Sequence, residues 1–411
     1  MLLFRQLQPE LHRRVPLSLF VIPNRSRVVR ILQVNKFYAP YVGGVETVAR
    51  QLAEGADARG HEVRVLTANH EMVPRSRSEY VNGIEVRRAA SFGFLFNASI
   101  SPTFPSLYRR AVDWADIVHF HSPSPLPELT HMLLGVPEPT RVMMTFHADP
   151  GTSRFKVLSP IYAPVLRCLL QRADRITATA PDNVERTDLL TDVQHKTEVV
   201  PLATEFEVDP PSGEEREQCQ RDLFGESISD PVILFVGRLA YYKGLPYLLH
   251  AMRDVKAQLV IVGAGEQREE LENEVRDFGI GERVRFEGYV PDEVLSDYYR
   301  AADLFVLPSI ASIEAFGIVQ LDAMAHGLPV VNTNLPTGVP FVSPHEETGL
   351  TVEPEEVGAL AEALNRLVND DGYRQELSRN AARRASKFTE EKMIDRYDEL
   401  YTEMIAQNER T

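Results

Sequence analysis

Residues 232–244 read VILFVGRLAYYKG, and this stretch decides both the fold class and the chemistry expected of the chain. A continuous run of Val, Ile, Leu and Phe is typical of a parallel strand that is buried on both faces. Glycine and two cations, Arg238 and Lys243, follow the run directly. Because open parallel sheets bind their ligands at the carboxyl ends of the strands, we expect both cations to line a binding site.

Similar apolar runs recur along the chain and alternate with longer helical stretches. They predict strands at residues 28–35, 62–68, 117–121, 142–147, 175–180, 232–237, 258–263, 284–287, 304–308 and 330–332. Repeated strand–helix–strand units build doubly wound parallel sheets. The length of 411 residues exceeds what one core usually holds. The predicted fold class is therefore α/β, with two Rossmann-like domains that face each other across a cleft.

The chain divides at shifts in its composition. We predict an N-terminal extension over residues 1–27, a first domain over 28–208, a linker over 209–230, a second domain over 231–388 and a terminal helix over 389–411. The arginine-rich extension lacks a signal-peptide cleavage site, so it is interpreted as a disordered segment or a peripheral membrane tether. One face of the terminal helix is apolar, and a return onto the first domain is one way to cover it.

The bulk composition limits the partners. A net charge of −15 argues against nucleic acid as a partner of the whole surface. No apolar run approaches the length needed to cross a bilayer. Cys168 and Cys219 belong to no metal-ligand spacing, and two unpaired thiols suit a reducing compartment. These features predict a cytoplasmic protein.

Arg238 and Lys243 are candidates for binding a diphosphate. An arginine fork fits phosphate oxygens in pairs, and a lysine acts as a compact point charge. Fixed cations of this kind neutralise a diphosphate leaving group without a metal. The alternative is two surface cations beside a glycine turn, although their place directly after a strand favours a function.

A second motif, residues 314–325, reads EAFGIVQLDAMA. Phe316 and Gly317 mark the predicted start of a helix, where free backbone N–H groups attract anions and hydroxyls. Glu314 and Asp322 are separated by about 12 Å if the rise is 1.5 Å per residue. That spacing fits a sugar at one end and a ribose at the other. An amphipathic helix with ordinary acidic residues is the alternative.

Three further positions follow predicted strands. Gly44, in a Gly-Gly pair after the first strand, permits close approach of backbone to phosphate, although the pair alone is a weak signal. His147 ends a strand and would hydrogen-bond a sugar, whereas a lone histidine is more often structural. Val290 follows another strand near a candidate base pocket, and an ordinary loop explains it nearly as well.

The basic and apolar stretch 154–175 suggests contact with an anionic membrane near a lipid-linked acceptor. It includes Arg154, Lys156, Arg167, Arg172 and Arg175. A core helix whose cations are solvated is an equally good interpretation.

These motifs resemble those of the retaining glycosyltransferases of family 4, which have the GT-B fold. The resemblance rests on the Gly-Gly-Val-Glu opening, the Gly-Arg-(x)4-Lys-Gly element and the Glu-(x)7-acid element, and it covers nearly the whole chain from Val28. Its mannosyl- and rhamnosyltransferase branch of polysaccharide and glycolipid assembly is the most similar. One position departs from the family, because Asp322 stands where the second acid is usually glutamate.

The resemblance implies a role for each matching position. Arg238 and Lys243 would bind the donor diphosphate and Glu314 the donor sugar, with the amides of Phe316 and Gly317 assisting. Asp322 would hold the ribose, Gly44 would approach the phosphate, His147 would assist at the sugar, and the base would lie near Val290.

The resemblance also implies a substrate and a cofactor requirement. The donor would be a nucleotide-diphosphate sugar, with GDP-mannose as the first guess, and the acceptor a glycan or lipid-linked hydroxyl. No metal or other cofactor is expected. The rival interpretations are a nucleotide-sugar epimerase or a phosphorylase on the same fold, and a catalytically inactive partner of another transferase.

Overall fold

The computed structural model describes residues 27–95, 98–150, 159–225 and 228–408. Nearly all of the predicted N-terminal extension lies outside these ranges, and so do Arg154 and Lys156 of the basic stretch.

The first sheet has eight strands in the spatial order β10-β9-β8-β7-β1-β2-β4-β3, and all neighbours except β3 and β4 run parallel. The strands are β1 Arg30–Val34, β2 Glu62–Ala68, β3 Arg77–Val81, β4 Ile84–Ala89, β7 Ile117–Ser122, β8 Arg141–Phe146, β9 Arg175–Ala178 and β10 Thr197–Val199. Two short strands, β5 Phe94–Leu95 and β6 Ala98–Ser99, pair separately.

The second sheet has six strands, all parallel, in the order β13-β12-β11-β14-β15-β16. They are β11 Val232–Val236, β12 Gln258–Val262, β13 Val284–Gly288, β14 Leu304–Leu307, β15 Val330–Thr333 and β16 Gly349–Val352. All five residues of β11 are buried, as its unbroken apolar sequence predicts.

Helices connect the strands. In the first half they are α1 Gly44–Ala58, α2 Phe104–Val112, α3 Pro125–Leu134, α4 Ser159–Arg172 and α5 Pro181–Glu185, with α6 Gly213–Phe224 between the sheets. In the second half they are α7 Leu245–Ala251, α8 Arg268–Asp277, α9 Asp292–Ala301, α10 Ile318–Ala325, α11 Val339–Val342, α12 Val357–Asn369, α13 Asp371–Ala385 and α14 Glu390–Asn408.

The predicted α/β class with two doubly wound sheets is confirmed, and each predicted strand is present. The sequence analysis missed several short strands, among them the β3–β4 hairpin. Its turn, Asn82-Gly83, has positive φ angles of 49° and 87°, as a two-residue hairpin turn requires. The Asn-Gly pair was a readable signal, but β3 is largely exposed and neither strand has a continuous apolar run.

The terminal helix α14 packs on the first domain. Its buried apolar side chains are Met393, Ile394, Tyr397, Leu400, Tyr401, Met404 and Ile405. All of these except Ile394 join residues of both sheets in one continuous hydrophobic core. Two further cores cover the outer faces of the two sheets.

Within the described residues, no helix is long and apolar enough to span a bilayer. Of the basic stretch, Arg175 forms an ion pair with Glu403 of α14, at 3.2 Å between its Nη2 and the Oε2 of the carboxylate. Arg175 therefore has a partner within the protein.

Gly55 of α1 tests the packing of α14. A Cβ atom at this position would lie 2.6 Å from Cγ2 and 2.7 Å from Cγ1 of Ile394. We expect Gly55→Ala to reduce the free energy of unfolding by about 1–3 kcal/mol through overpacking, although alanine is the better helix former. Urea titration measures the change.

The matched control is Gly358→Ala in α12, where an added Cβ meets nothing within 4 Å and stability should not fall. In the double variant Gly55→Ala/Ile394→Ala, the loss of unfolding free energy should be smaller than the sum of the losses in the two single variants. The reason is that alanine at position 394 removes the clash with the alanine at position 55. If the losses of the two single variants add up to that of the double variant, the close packing of residue 55 against Ile394 is contradicted.

Candidate active site

Both sheets have a point where the strand order reverses, and open sheets bind ligands at the carboxyl end of such points. In the first sheet it lies at β1, between β2 and β7, and in the second at β11, between β12 and β14. The loops after β11 and β14 contain Arg238, Lys243 and Glu314. The parallel topology thus places these predicted side chains at one edge of the second sheet.

Close backbone packing holds these loops in place. A Cβ at Gly244, which has a φ of +68°, would collide with the carbonyl oxygen of Pro308 after β14. A Cβ at Gly263 would collide with the carbonyl oxygen of Gly237 after β11. Only glycine permits these approaches. The ends of β11, β12 and β14 therefore form a rigid platform.

Lys243 and Glu314 form a buried ion pair on this platform. The Nζ atom of Lys243 lies 2.5 Å from Oε2 of Glu314, and the two residues are only 6% and 9% exposed. Ser309 donates a second hydrogen bond to the same carboxylate oxygen at 3.0 Å. Burial lowers the pKa of Lys243, but the Glu314 charge, Tyr242 and the hydrogen bond to Glu314 together outweigh it, and the net pKa is raised. Lys243 is therefore a fixed cation.

Arg238 is exposed and lies beside the Tyr41 hydroxyl of the first domain. Burial lowers the pKa of Arg238, while Tyr41, Tyr242 and Glu266 raise it by more. Arg238 therefore points toward the space between the two domains, and its predicted contact with a diphosphate stays a prediction.

The start of α10 combines a turn with free donors. Gly317 has a φ of +72° and precedes the helix. Among the described residues, the backbone N–H groups of Phe316 and Gly317 have no hydrogen-bond acceptor. The loop is held from the other side, because Thr337 donates to the carbonyl oxygen of Glu314 at 2.9 Å and Gly338 donates to that of Ala315 at 2.8 Å. This arrangement presents two N–H groups to an anion or hydroxyl.

Asp322 lies on α10 at the junction of the domains. The hydroxyl of Thr204 donates to Oδ1 of Asp322 at 2.7 Å, and the backbone N–H of Thr204 donates to the carbonyl oxygen of Phe388. The side chain is half-buried. Its predicted contact with a ribose stays a prediction.

The Gly43-Gly44 turn starts α1 and faces α10. A Cβ at Gly44 would lie 3.8 Å from Cδ1 of Ile318, so the turn contacts the second domain. The carboxylate of Glu46 folds back over Gly43, where an added Cβ would collide with Oε2. Burial raises the pKa of Glu46, opposed by its own backbone N–H and by the charges of Lys36 and Arg238. Glu46 thus lies against the Gly43-Gly44 turn, and the predicted approach of Gly44 to a phosphate stays a prediction.

Lys36 is a candidate that the sequence analysis missed. It follows β1, and its Nζ atom lies 4.7 Å from the centre of the Phe37 ring with no hydrogen bond to any described residue. Burial lowers the pKa of Lys36 to about 8, with Glu46 opposing and Arg238 adding to the change. The position directly after a strand was a usable signal.

His147 follows β8 and is 4% exposed. Its Nε2 atom lies 3.1 Å from Nδ1 of His121, and the two rings stack. Burial lowers the pKa of His147 to about 3, so the ring is neutral at physiological pH. The structure places this residue at the carboxyl edge of the first sheet, on a buried polar network.

Val290 lies two residues beyond β13 and is half-buried against the shared core. The adjacent Gly288 has a φ of +74°, and its carbonyl oxygen accepts from the N–H of Gly263 at 2.7 Å. Val290 therefore lies beside the glycine platform, and its predicted proximity to a base stays a prediction.

Comparison with known proteins gives two family matches. Residues 220–384 match the sequence model described as Glycosyl transferases group 1, and residues 42–207 match that described as Glycosyltransferase Family 4. The two matches divide the chain between its two sheets.

Two curated relatives cover nearly the whole chain. D-rhamnosyltransferase WbpZ of Pseudomonas aeruginosa is 32% identical over 86% of this chain and 91% of its own length. O-antigen chain mannosyltransferase C of Escherichia coli is 30% identical over 92% of this chain and 99% of its own length.

Solved structures share the fold. Sucrose-phosphate synthase from Thermosynechococcus elongatus has a TM-score of 0.74 at 24% identity, covering 92% of this chain and all of that one. HepE of Anabaena in complex with UDP has a TM-score of 0.73 at 18% identity, covering 91% and 100%. The predicted GT-B architecture is thereby confirmed.

The buried ion pair leads to a stability prediction. Lys243→Ala leaves the Glu314 carboxylate buried without its cation, and breaking a buried pair costs about 3–5 kcal/mol. Arg238→Ala removes an exposed side chain and should change the free energy of unfolding by less than about 0.5 kcal/mol. Urea titration of both variants measures the contrast.

The double variant Lys243→Ala/Glu314→Ala serves as the control, since it leaves no unpaired charge and should recover most of the loss. Equal stability of Lys243→Ala and Arg238→Ala would contradict the importance of this pair.

Proposed function

Because the chain belongs to the family 4 glycosyltransferases and is a hexosyltransferase, we propose that it transfers its hexose from a nucleotide-diphosphate sugar with retained anomeric configuration. The acceptor is a hydroxyl of a glycan or of a lipid-linked glycan. Mannose from GDP-mannose is the first choice, since the relatives named above are a mannosyl- and a rhamnosyltransferase.

The observation that supports this proposal is the cationic platform at the edge of the second sheet. Arg238 faces the gap between the domains, and Lys243 is fixed by Glu314. Preorganised charges of this kind stabilise a leaving diphosphate, because they need no reorientation as the bond breaks. We propose that these cations make a metal unnecessary.

Retention by direct displacement suits the state of Glu314. Its Oε2 atom already accepts hydrogen bonds from Lys243 and Ser309, which makes this carboxylate a poor covalent nucleophile. In the proposed step, the acceptor oxygen bonds to the anomeric carbon on the face from which the diphosphate leaves. The bond between that carbon and the phosphate oxygen breaks, and the phosphate oxygen takes the acceptor proton.

The remaining residues are proposed to position the donor. Gly44 lets the backbone approach the diphosphate, and the N–H groups of Phe316 and Gly317 bind the sugar with Glu314. Asp322 holds the ribose beside Thr204. His147 bonds a sugar hydroxyl, and the base lies near Val290.

A direct assay tests the activity. We expect mannose transfer from GDP-mannose to a mannose-terminated oligosaccharide, with an α-linkage identified by the one-bond carbon–proton coupling at the anomeric carbon of the product. Arg238→Ala should lower kcat by about a hundredfold or more, since removal of one preorganised charge costs that much, while its unfolding curve stays unchanged.

Three results would contradict the proposal. Turnover of donor without any acceptor would indicate an epimerase, and dependence on inorganic phosphate would indicate a phosphorylase. An inverted product would exclude retention.

A thermal-shift panel of GDP, UDP and ADP identifies the base, because a ligand that binds only the folded state raises the Tm of the protein.

Lys36 makes diphosphate binding dependent on pH. The lysine is charged below its pKa of about 8 and loses its proton above it, and the Arg238 charge contributes to that low value. A diphosphate that neutralises Arg238 should raise the pKa of Lys36 again, so binding above pH 8 takes up a proton. The dissociation constant of GDP should then rise above pH 8, by up to about tenfold per pH unit.

The matched variant is Lys36→Arg, which keeps its charge over the whole range and should remove this part of the pH dependence. Isothermal titration between pH 7 and pH 9 compares it with the unchanged protein. Identical pH profiles of the two proteins would exclude Lys36 from the effect.

A further inference from the structure

A continuous chain of buried hydrogen bonds connects the terminal helix with His147. It passes from the hydroxyl groups of Tyr397 and Tyr401, both on α14, to the ring of His147 at the end of β8. The intermediate residues, each at most 1% exposed, are Thr145, Thr177, His119, Gln33 and His121. Because burial removes water as an alternative partner, each proton in this chain must serve a protein atom.

Three hydroxyl groups form a closed triangle at one end of the chain. The oxygen of Thr145 lies 2.8 Å from that of Thr177 and 3.0 Å from that of Tyr397, and the oxygens of Thr177 and Tyr397 are 2.9 Å apart. Each contact needs one proton, and each hydroxyl supplies one. The triangle therefore uses all of its own protons.

The triangle determines which nitrogen of His119 carries the proton. Its Nε2 atom lies 2.7 Å from the oxygen of Thr145, which has no proton to spare. His119 is neutral, because burial and then the neighbouring His147 lower its pKa to about 3. Hence Nε2 carries the single proton and donates it to Thr145, and Nδ1 is bare.

The tautomer of His119 then determines the direction of each following hydrogen bond in the chain. The Tyr401 hydroxyl must donate to the bare Nδ1 of His119 at 2.8 Å. Its oxygen accepts from the side-chain amide of Gln33 at 3.2 Å. The other end of that amide, Oε1, faces Nε2 of His121 at 2.8 Å and can only accept. The proton of His121 is therefore on Nε2.

The last link sets the tautomer of His147. Burial, and then the neighbouring His119 and His147, lowers the pKa of His121 well below its usual value, so its ring is neutral and its Nδ1 is bare. That atom must accept from Nε2 of His147 at 3.1 Å. Because His147 is neutral as well, its own Nδ1 carries a lone pair, and no described residue donates to it.

We propose that Tyr397 and Tyr401 are positioning residues, which hold His147 in the tautomer with a protonated Nε2 and a bare Nδ1. In this form His147 accepts a hydrogen bond from a hydroxyl of the donor sugar and cannot donate one. The sugar contact rests on the proposed function, whereas the tautomer does not. The terminal helix, which follows the second domain in sequence, thus sets the chemistry of a side chain in the first.

Nitrogen NMR of the ligand-free protein with 15N-labelled histidine tests the tautomer. The His147 signals, assigned with His147→Gln, should show a protonated Nε2 and a bare Nδ1. In Tyr397→Phe, only the contact between the two threonine hydroxyls remains, and the proton of Thr177 can serve it. The proton of Thr145 is then available for Nε2 of His119, so the direction of every hydrogen bond in the chain can reverse. We expect the Nδ1-protonated form of His147 to become populated in this variant.

Tyr401→Phe interrupts the same chain at its centre and should also give a mixture of tautomers. The matched control is Tyr108→Phe, which removes another buried tyrosine hydroxyl in the first domain, bonded to His131 at 2.7 Å and separate from this chain. It should leave the His147 signals unchanged. A protonated Nδ1 in the unchanged protein, or one unaltered tautomer in both tyrosine variants, would overturn the proposal.

Kinetics extend the test to the sugar. Tyr397→Phe should lower kcat/KM for the donor by up to about tenfold, the value of one hydrogen bond, while Tyr108→Phe leaves it unchanged. If no transfer occurs with any donor, the proposed function fails, and the NMR result still decides the tautomer. If transfer occurs and Tyr397→Phe has the same kcat/KM as Tyr108→Phe, the proposed link between the tautomer and sugar binding is wrong.

Discussion

The return of α14 onto the first domain is the constraint on which the rest of the molecule depends. Its large apolar side chains are buried, and each one contributes about 1.5–3 kcal/mol on full burial. Since they belong to a core that includes residues of both sheets, the two carboxyl edges are held at a set separation. This is why Tyr41 reaches Arg238 and why Thr204 reaches Asp322 across the domain junction.

The candidate site is a cationic region in an acidic protein. The chain carries a net charge of −15, yet Lys36, Arg238 and Lys243 converge on the gap between the sheets. Their charges act on two carboxylates, those of Glu46 and Glu314. These carboxylates favour the charged forms of Lys36 and Lys243 where a diphosphate is proposed to bind, and Glu314 also holds Lys243 in place, so little reorganisation is needed. Glycines around the platform remove the side chains that would otherwise separate the strand ends.

The buried network shows how distant parts of the chain determine one proton. Tyr397 and Thr145 are 252 residues apart in sequence, yet their hydroxyls share a triangle with Thr177. A polar group that is buried without a partner is costly, and this requirement fixes which nitrogen of each histidine in the network carries the proton. The polar network is therefore specific in its chemistry as well as in its geometry, provided every group in it is satisfied.

The sequence by itself determined the α/β class, the family and the strand-end position of Arg238, Lys243, Glu314 and His147, because buried parallel strands leave an unbroken apolar signal that loops and glycines interrupt. It missed the β3–β4 hairpin, whose strands lack that unbroken apolar signal, and Lys36, whose setting depends on Arg238 in the other domain. Only the tertiary structure decided that Lys243 and Glu314 pair with each other and which nitrogen of His147 is bare. Such pairings arise between residues far apart in sequence, and no local pattern encodes them.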